Sequence, residues 1–264
     1  MMTMDRLRDA ATTTGAGLRR GGAGFRRRME LARQPRPRGV RTPPLALFWR
    51  ELGVLLNRRR PAPLNVDPAL RPGPVMILPG FGAHPGRMRR LADALTAAGH
   101  TPYDWGLGVN FGPTPENFAF LLARVTRIAR AEGRPVALVG WSLGGLFARE
   151  IAKSRPGAVS QVITLGTPFS GDPRSNNAWR AYQVITGHAV DAPPVPGDFA
   201  VKPPVPTTAL WSPRDGVIAP RSACGWPGER DRAVALRCSH LGFAGSAEAI
   251  GAVLHELDRA EIAE

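Results

Sequence analysis

The chain has 264 residues, of which 43% are hydrophobic, and this fits one large α/β domain or a modest domain with an extension. No apolar run approaches about 20 residues, so the sequence argues against a membrane-spanning helix. The formal net charge of +14 does not indicate a groove for nucleic acid, because residues 1–64 alone hold fifteen arginines against four acidic residues. In the rest of the chain, basic and acidic residues are nearly equal in number.

The N-terminal segment 1–42 is rich in Arg, Thr and Gly and poor in acidic residues, a composition that predicts a basic, disordered arm. The arm lacks the apolar core of about 7–15 residues that a secretory signal needs, so we expect a cytoplasmic protein. A solvated tail is one interpretation of the charge, and contact with anionic lipid or nucleic acid is the alternative. We do not expect nucleic acid as a partner.

Residues 43–71 are predicted to contain an amphipathic helix at 43–60 and a linker. Pro44 suits the first turn, and apolar residues recur at helical spacing from Leu45 to Leu56. Such a helix can pack on the domain or across the mouth of its active site. With its basic flanks it can also lie on a membrane surface, peripheral to the bilayer.

From residue 72 to 264, short apolar runs alternate with helical stretches. The predicted strands are 74–82, 100–108, 135–141, 159–168, 207–216 and 232–240. The predicted helices are 86–98, 114–133, 142–155 and 247–260. This alternation predicts an α/β fold with a doubly wound, mostly parallel sheet. The proline-rich insertion at about 169–206 is predicted to be a cap, because insertions of this length are usually functional.

Ser142 lies between Gly140 and Gly144, where a buried strand is followed directly by a helix. Such a sharp turn strains the serine backbone and exposes its Oγ, and side chains at the two glycine positions would clash with the crossing backbone. The free N–H groups of the helix N-terminus also favour negative charge. We predict that Ser142 is a nucleophile; the alternative is a tight turn that happens to hold a serine.

A nucleophilic serine at such a turn requires an acid and then a histidine at later strand ends. His240 follows a late strand and is the predicted base, with a surface-loop histidine as the alternative. The other histidines precede the serine, lie in the insertion or sit on the last helix: His84, His100, His188 and His255.

Asp215 follows an apolar strand in an Asp-Gly turn and is the predicted acid that orients His240. The alternative is that Asp215 only forms the turn. Three rival acids lie in the insertion, before the last two strands: Asp172, Asp191 and Asp198.

An oxyanion hole needs two backbone donors. The N–H of Leu143, next to the nucleophile, is one candidate. The N–H of Phe81, in the turn "LPGFG", is the other. We also predict that Phe81, Trp105 and Trp141 line an acyl pocket, although tryptophans near a sheet end are as often part of the core.

The two cysteines, Cys224 and Cys238, are too few for a disulfide scaffold. We expect free thiols in a reducing compartment, with a single bridge as the alternative. No cluster of His and Cys has the spacing of a zinc site, so we predict neither a metal nor a cofactor.

Five segments, in this order, make residues 72–260 resemble the α/β-hydrolase family, particularly its lipase-like bacterial branch: "LPGFG", "GWSLGG", "TLGTPFSG", "SPRDGVIAP" and "CSHLGF". The resemblance implies a doubly wound sheet with a cap. It also implies the site residues already singled out: the triad Ser142, Asp215 and His240, and the oxyanion donors Phe81 and Leu143.

The function implied by the resemblance is hydrolysis of small-molecule or lipid-like carboxylic esters through an acyl-enzyme, without a cofactor. The superfamily also contains thioesterases and acyltransferases, which stay open as alternatives. A membrane-associated or interaction module built on the same fold is a further alternative, suggested by the basic arm and the 43–60 helix.

Overall fold

The computed structural model describes residues 24–56 and 63–259 of the chain. Six strands form one sheet with parallel pairing throughout: β1 (Pro74–Leu78), β2 (Thr101–Asp104), β3 (Val136–Trp141), β4 (Val159–Leu165), β5 (Thr207–Trp211) and β6 (Arg232–Ala235). Their spatial order is β2-β1-β3-β4-β5-β6, so the winding direction reverses after β2. The predicted doubly wound, parallel α/β fold is therefore confirmed, and all six carboxyl ends lie along one edge.

Four helices cover the two faces of the sheet: α3 (Arg89–Ala97), α4 (Pro115–Glu132), α5 (Leu143–Ser154) and α8 (Ala247–Arg259). Alternate residues of β1 enter two separate cores, because successive side chains of a strand point to opposite faces. Val75 and Ile77 pack with α3 and α8, whereas Met76 and Leu78 pack with α4 and α5.

The strands end earlier than the apolar pattern predicted. β5 stops at Trp211 and β6 at Ala235, several residues before the predicted ends at 216 and 240. Backbone hydrogen bonds continue only as far as the bond from the N–H of Leu236 to the carbonyl of Trp211. The residues that follow therefore form loops beyond the sheet edge, and these loops carry two of the predicted site residues.

The insertion between β4 and β5 contains one helix, α6 (Trp179–Thr186), within otherwise irregular structure. The part of the insertion before α6 is joined to the loop after β5 by an isolated bridge between Asn176 and Ile218. A second short helix, α7 (Pro220–Cys224), follows that loop.

The N-terminal segment differs from the predicted disordered arm. Residues 24–33 form a helix, α1, which packs on α6. Leu31 is buried, and its carbonyl accepts a hydrogen bond of 2.7 Å from the Gln183 amide. Arg27 and Arg28 donate to the carbonyls of residues 184, 185 and 187. Both arginines therefore bind the C-terminal end of α6, where helix carbonyls lack partners, and Arg27 does so while exposed to solvent.

The predicted helix at 43–60 corresponds to α2 (Leu45–Leu56). Residues 57–62 lie outside the described part of the chain, as do residues 1–23 of the predicted arm. Over the residues described, each helix is too short or too polar to cross a lipid bilayer.

Candidate active site

Ser142 occupies the turn between β3 and α5 in a strained backbone conformation. Its φ is +53° and its ψ is −120°, and within the described ranges no other non-glycine residue has a positive φ. The conformation is held by a 2.8 Å hydrogen bond from the Ser142 N–H to the carbonyl of Leu165. Strain of this kind, maintained by its surroundings, is typical of functional sites.

The two glycines flanking Ser142 are required by close backbone approach. A Cβ at Gly140 would lie 2.5 Å from backbone atoms of the first turn of α5, and one at Gly144 would overlap the carbonyl of Leu78. Any larger residue would separate α5 from the sheet. Side chains at these two positions would clash with the crossing backbone, as the sequence predicts.

Asp215 and His240 are in direct contact in the loops after β5 and β6. Asp215 Oδ2 lies 2.8 Å from His240 Nδ1, and the two side chains are only 1% and 5% exposed. The other carboxylate oxygen accepts hydrogen bonds from the N–H groups of Val217 and Ile218, at 2.8 Å and 2.7 Å. These two bonds fix the plane of the carboxylate, which then accepts from the imidazole.

The pair lies at the same sheet edge as the serine turn. The indole N–H of Trp141 donates to the carbonyl of His240 at 3.1 Å, which ties the residue before Ser142 to the histidine loop. A Cβ on Gly166, which follows β4, would lie 3.0 Å from Asp215 Oδ2. The structure thus joins Asp215 and His240 directly, links the His240 loop to Trp141, which precedes Ser142, and places Asp215 close to the end of β4.

The three rival acids have other partners. Asp191 accepts a 2.6 Å bond from Arg174, and this bond lowers the pKa of the Asp191 carboxyl. Asp172 accepts from the backbone N–H of Arg174, and Asp198 accepts from that of Ala200. None of these bonds involves His240.

The predicted oxyanion donors face the same region. A Cβ on Gly80 would lie 3.3 Å from the Cβ of Ser142, so the "LPGFG" turn passes close to the serine. Phe81 and Leu143 both line the pocket that contains Ser142. Within the described residues, neither of their backbone N–H groups donates to another protein group.

Asn110 holds the Phe81 turn, although no sequence motif marks it as a site residue. Its buried side chain donates to the carbonyl of Pro79 at 2.7 Å. Its backbone carbonyl accepts from the N–H of Gly82, also at 2.7 Å, and its N–H donates to Ala83. Only its place in the glycine-rich stretch "DWGLGVNFG" could have suggested this role.

A pocket of about 100 Å³ opens above Ser142. Its walls are apolar and come largely from the 169–206 insertion, from the Phe81 turn and from α5. The side chains that enclose it include Phe81, Pro113, Leu146, Pro173, Trp179, Tyr182, Val190, Pro193 and Phe199. Among the described residues that line it, none carries a formal charge.

Two of the three aromatic residues predicted to line the pocket belong to the core. Trp105 is 1% exposed and packs edge-to-face on Phe147, while Trp141 packs in the core beneath α3 and α8. Phe81 alone of the three lines the pocket, where its ring lies 5.3 Å from that of Tyr182.

Comparison with known proteins identifies the family. The model of the "Alpha/beta hydrolase family" matches residues 75–260, which is well over half of the chain. The chain belongs to the alpha/beta hydrolase family. This confirms the resemblance to the α/β-hydrolase family that the sequence motifs indicated.

A curated relative in the alpha/beta hydrolase family is the pimeloyl-[acyl-carrier protein] methyl ester esterase of Methylococcus capsulatus. It is 30% identical over 138 residues, and the match covers 47% of this chain and 47% of the relative. The chain thus spans about half the length of the curated relative that it matches.

Two solved structures share the fold of this family member. A lipase-esterase related protein from Clostridium acetobutylicum has a TM-score of 0.53 and 12% identity, covering 74% of this chain and 97% of its own. A Bacillus licheniformis lipase in its propeptide form has a TM-score of 0.55 and 18% identity, covering 76% and 54%.

Cys224 and Cys238 of the hydrolase domain are free thiols. Burial raises the pKa of the Cys238 thiol to about 12, so it stays protonated at neutral pH. Over residues 24–56 and 63–259, no group of three His, Cys, Asp or Glu side chains is arranged to hold a metal ion.

Proposed function

We propose that this protein is a serine hydrolase that cleaves carboxylic esters through an acyl-enzyme. In this proposal Ser142 is the nucleophile, His240 the general base and Asp215 the acid that orients it. The proposal rests above all on the buried 2.8 Å contact between Asp215 and His240 at the sheet edge that carries the strained serine turn.

The first half of the reaction forms the acyl-enzyme. With the Nδ1–H of His240 donated to Asp215, the unprotonated Nε2 is the nitrogen that takes the proton from Ser142 Oγ as Oγ attacks the ester carbonyl. The tetrahedral oxyanion accepts hydrogen bonds from the N–H groups of Phe81 and Leu143. Collapse breaks the bond to the alcohol oxygen, and the alcohol leaves with the proton held by His240.

The second half returns the enzyme to its starting state. His240 takes a proton from water, whose oxygen attacks the acyl carbon, and the same N–H donors stabilise the second oxyanion. Collapse releases the carboxylic acid and returns the proton to Ser142. In an acyltransferase, an acceptor other than water would attack the acyl-enzyme at this step. In a thioesterase, a thioester would replace the ester in the first half of the reaction.

The pocket favours esters with an apolar acyl or alcohol group. Its lining offers Pro, Leu, Phe, Trp and Val side chains, and the amide of Asn176 is already bonded to the carbonyl of Pro173 and the N–H of Ala178. An ionised substrate group would therefore be buried without a charged partner, at a cost in free energy. The esterase and lipase names of the relatives agree with this substrate class.

The test compares wild type with Ser142→Ala on p-nitrophenyl esters of short and long acyl chains. We expect kcat/KM to fall by at least about a thousandfold, because the nucleophile is removed. A fluorophosphonate probe should label wild type alone. Ser160→Ala, a serine of β4 away from the turn, is the matched control and should keep both activity and labelling. Equal rates for wild type and Ser142→Ala would overturn the proposal.

A peripheral contact with an anionic lipid bilayer is a second proposal. Leu45 and Trp49 lie one turn apart on α2, and each is 66% exposed, beside the exposed Arg50. A helix that presents apolar and basic residues together suits the lipid–water interface. In co-sedimentation with anionic vesicles, the double variant Leu45→Ser/Trp49→Ser should bind less than wild type, with unchanged hydrolysis of a short soluble ester. Equal sedimentation would dismiss the contact.

A further inference from the structure

A carboxylate from outside the matched family region lies beside the Asp215–His240 pair. Glu51 is the only acidic residue of α2, and it is 2% exposed. A buried carboxylate is costly unless hydrogen-bond donors surround it, so its partners indicate what it holds in place. Glu51 precedes residues 75–260, so the part of the chain common to the family does not supply it.

Within the part of the chain that the structure describes, Glu51 accepts three hydrogen bonds, all from the backbone of the loops that carry Asp215 and His240. Oε1 accepts from the N–H of Gly216 at 3.1 Å and from the N–H of His240 at 2.6 Å. Oε2 accepts from the N–H of Leu241 at 3.0 Å. One side chain therefore binds the residue directly after Asp215 and also the backbone of His240 itself.

The backbone of α2 is seated against the same turn. A Cβ on Gly216 would overlap the carbonyl of Leu47 and lie 2.7 Å from the N–H nitrogen of Phe48. The Asn177 amide donates both to the carbonyl of Gly216, at 2.8 Å, and to the carbonyl of Pro43, at 3.1 Å. The main chain of α2 therefore contacts the Asp215 turn directly. Glu51 lies beside this turn because the helix itself is packed there.

We propose that Glu51 is a positioning residue, which sets the relative placement of Asp215 and His240 without touching substrate. The two side chains share one hydrogen bond, and Glu51 adds a second, backbone link between their loops. The ring is closed by three hydrogen bonds among Glu51, Gly216, His240 and Asp215, together with the peptide bond that joins Asp215 to Gly216. A ring restricts rotation of the imidazole more than a single contact does, and catalytic groups lose rate steeply when displaced.

The inference rests on the proposed serine hydrolase function for its kinetic readout, and a spectroscopic readout is independent of it. Glu51→Gln keeps the shape of the side chain but replaces one acceptor oxygen with an N–H donor that faces a backbone N–H. We expect kcat to fall between about ten- and a hundredfold, with KM within about twofold, because the pocket is untouched. The downfield proton resonance of the His240 Nδ1–H should shift or broaden.

The matched control is Glu248→Gln. Glu248 lies on α8 and accepts one hydrogen bond, at 2.8 Å, from the N–H of Arg237, three residues before His240. It contacts the same loop but does not link that loop to Asp215. We expect its kcat and its Nδ1–H resonance to match those of wild type.

A lower melting temperature for Glu51→Gln, with kcat within about twofold of wild type and an unchanged resonance, would make Glu51 a structural contact only and overturn the proposal. If Glu51→Gln does not fold, Glu51→Asp, which keeps the charge on a shorter side chain, is judged by the same two readouts. Failure of the hydrolase proposal itself would appear as full activity of Ser142→Ala. In that case the resonance still decides the role of Glu51.

Discussion

His240 Nδ1 lies 2.8 Å from Asp215 Oδ2, and the Asp215 side chain is fixed from its other side by two backbone N–H groups. Asp215→Asn keeps the shape of the side chain but offers an amide where the imidazole needs an acceptor. The wrong tautomer of His240 should then prevail, so we expect kcat to fall by about a thousandfold or more with little change in KM. Steady-state kinetics on a p-nitrophenyl ester measures this.

Asp172→Asn is the control for that substitution. Asp172 precedes the last two strands, and its Oδ1 binds the N–H of Arg174. Its loss should leave kcat within about threefold of wild type. A similar fall in both variants would contradict the assignment of Asp215.

Removal of the Asn110 side chain should impair the Phe81 turn. Asn110→Ala leaves the carbonyl of Pro79 without its donor in a buried place. The free energy of unfolding should decrease by about 1–3 kcal/mol. Displacement of the Phe81 N–H should lower kcat by about ten- to a hundredfold. Chemical denaturation and ester kinetics measure the two effects, and Asn117→Ala on α4 is the control. An unchanged kcat in Asn110→Ala would show that the Phe81 turn does not contribute to catalysis.

The size of the pocket should set the preferred acyl length. Leu146 lies one turn after Ser142 and borders both the main pocket and a smaller neighbouring cavity of about 20 Å³. Leu146→Trp fills that space, so kcat/KM for long-chain esters should fall by about tenfold or more while the acetate ester is little affected. Ile185→Trp, on the exposed side of α6, should leave the chain-length profile unchanged. A parallel fall for all chain lengths would show that Leu146 does not act through acyl size.

The thiol of Cys238 should resist alkylation in the folded protein. Burial, and secondarily the nearby Glu248, raise its pKa to about 12 from the ordinary value of 9.0. At pH 9 its thiolate fraction is therefore several hundredfold lower in the folded than in the unfolded state. Iodoacetamide at that pH should modify Cys238 only in denaturant. Equal labelling of Cys238 with and without denaturant would contradict the raised pKa.

The same pKa shift sets a dependence of stability on pH. The pKa of the Cys238 thiol is higher in the folded than in the unfolded state. The contribution of this thiol to stability is therefore fully present below pH 9 and is lost as the pH rises toward 12. The melting temperature of wild type should therefore fall more steeply between pH 9 and 11 than that of Cys238→Ala. The same dependence of melting temperature on pH in wild type and Cys238→Ala would contradict this prediction.

The sequence was enough to predict those parts of the site that depend on local chemistry. Gly140 and Gly144 around Ser142 follow from the steric demands of one turn, and the structure has that turn. The positions of Asp215 and His240 follow from strand ends, because parallel strands bring their carboxyl ends to one edge. Their mutual contact is a finding of the structure, while their catalytic roles stay predictions.

The remaining parts depend on contacts that no local pattern encodes. Glu51 meets His240 across 189 positions of the chain, and Leu31 meets Gln183 across 152. An amphipathic pattern in 43–60 predicts an apolar face but does not say which surface buries it. Trp141 illustrates a second limit, since successive strand residues point to opposite faces, and its indole enters the core instead of the pocket.

The docking of α1 on α6 has a mechanical consequence for substrate entry. Trp179 and Tyr182 of α6 form one wall of the pocket, and the outer side of that helix is bonded to α1 through the Leu31 carbonyl. If α6 moved outward to widen the pocket, either its hydrogen bonds to α1 would break or α1 would move with it. Proteolytic shortening past residue 33 would therefore soften this wall and admit bulkier esters, although the cut is remote from the nucleophile.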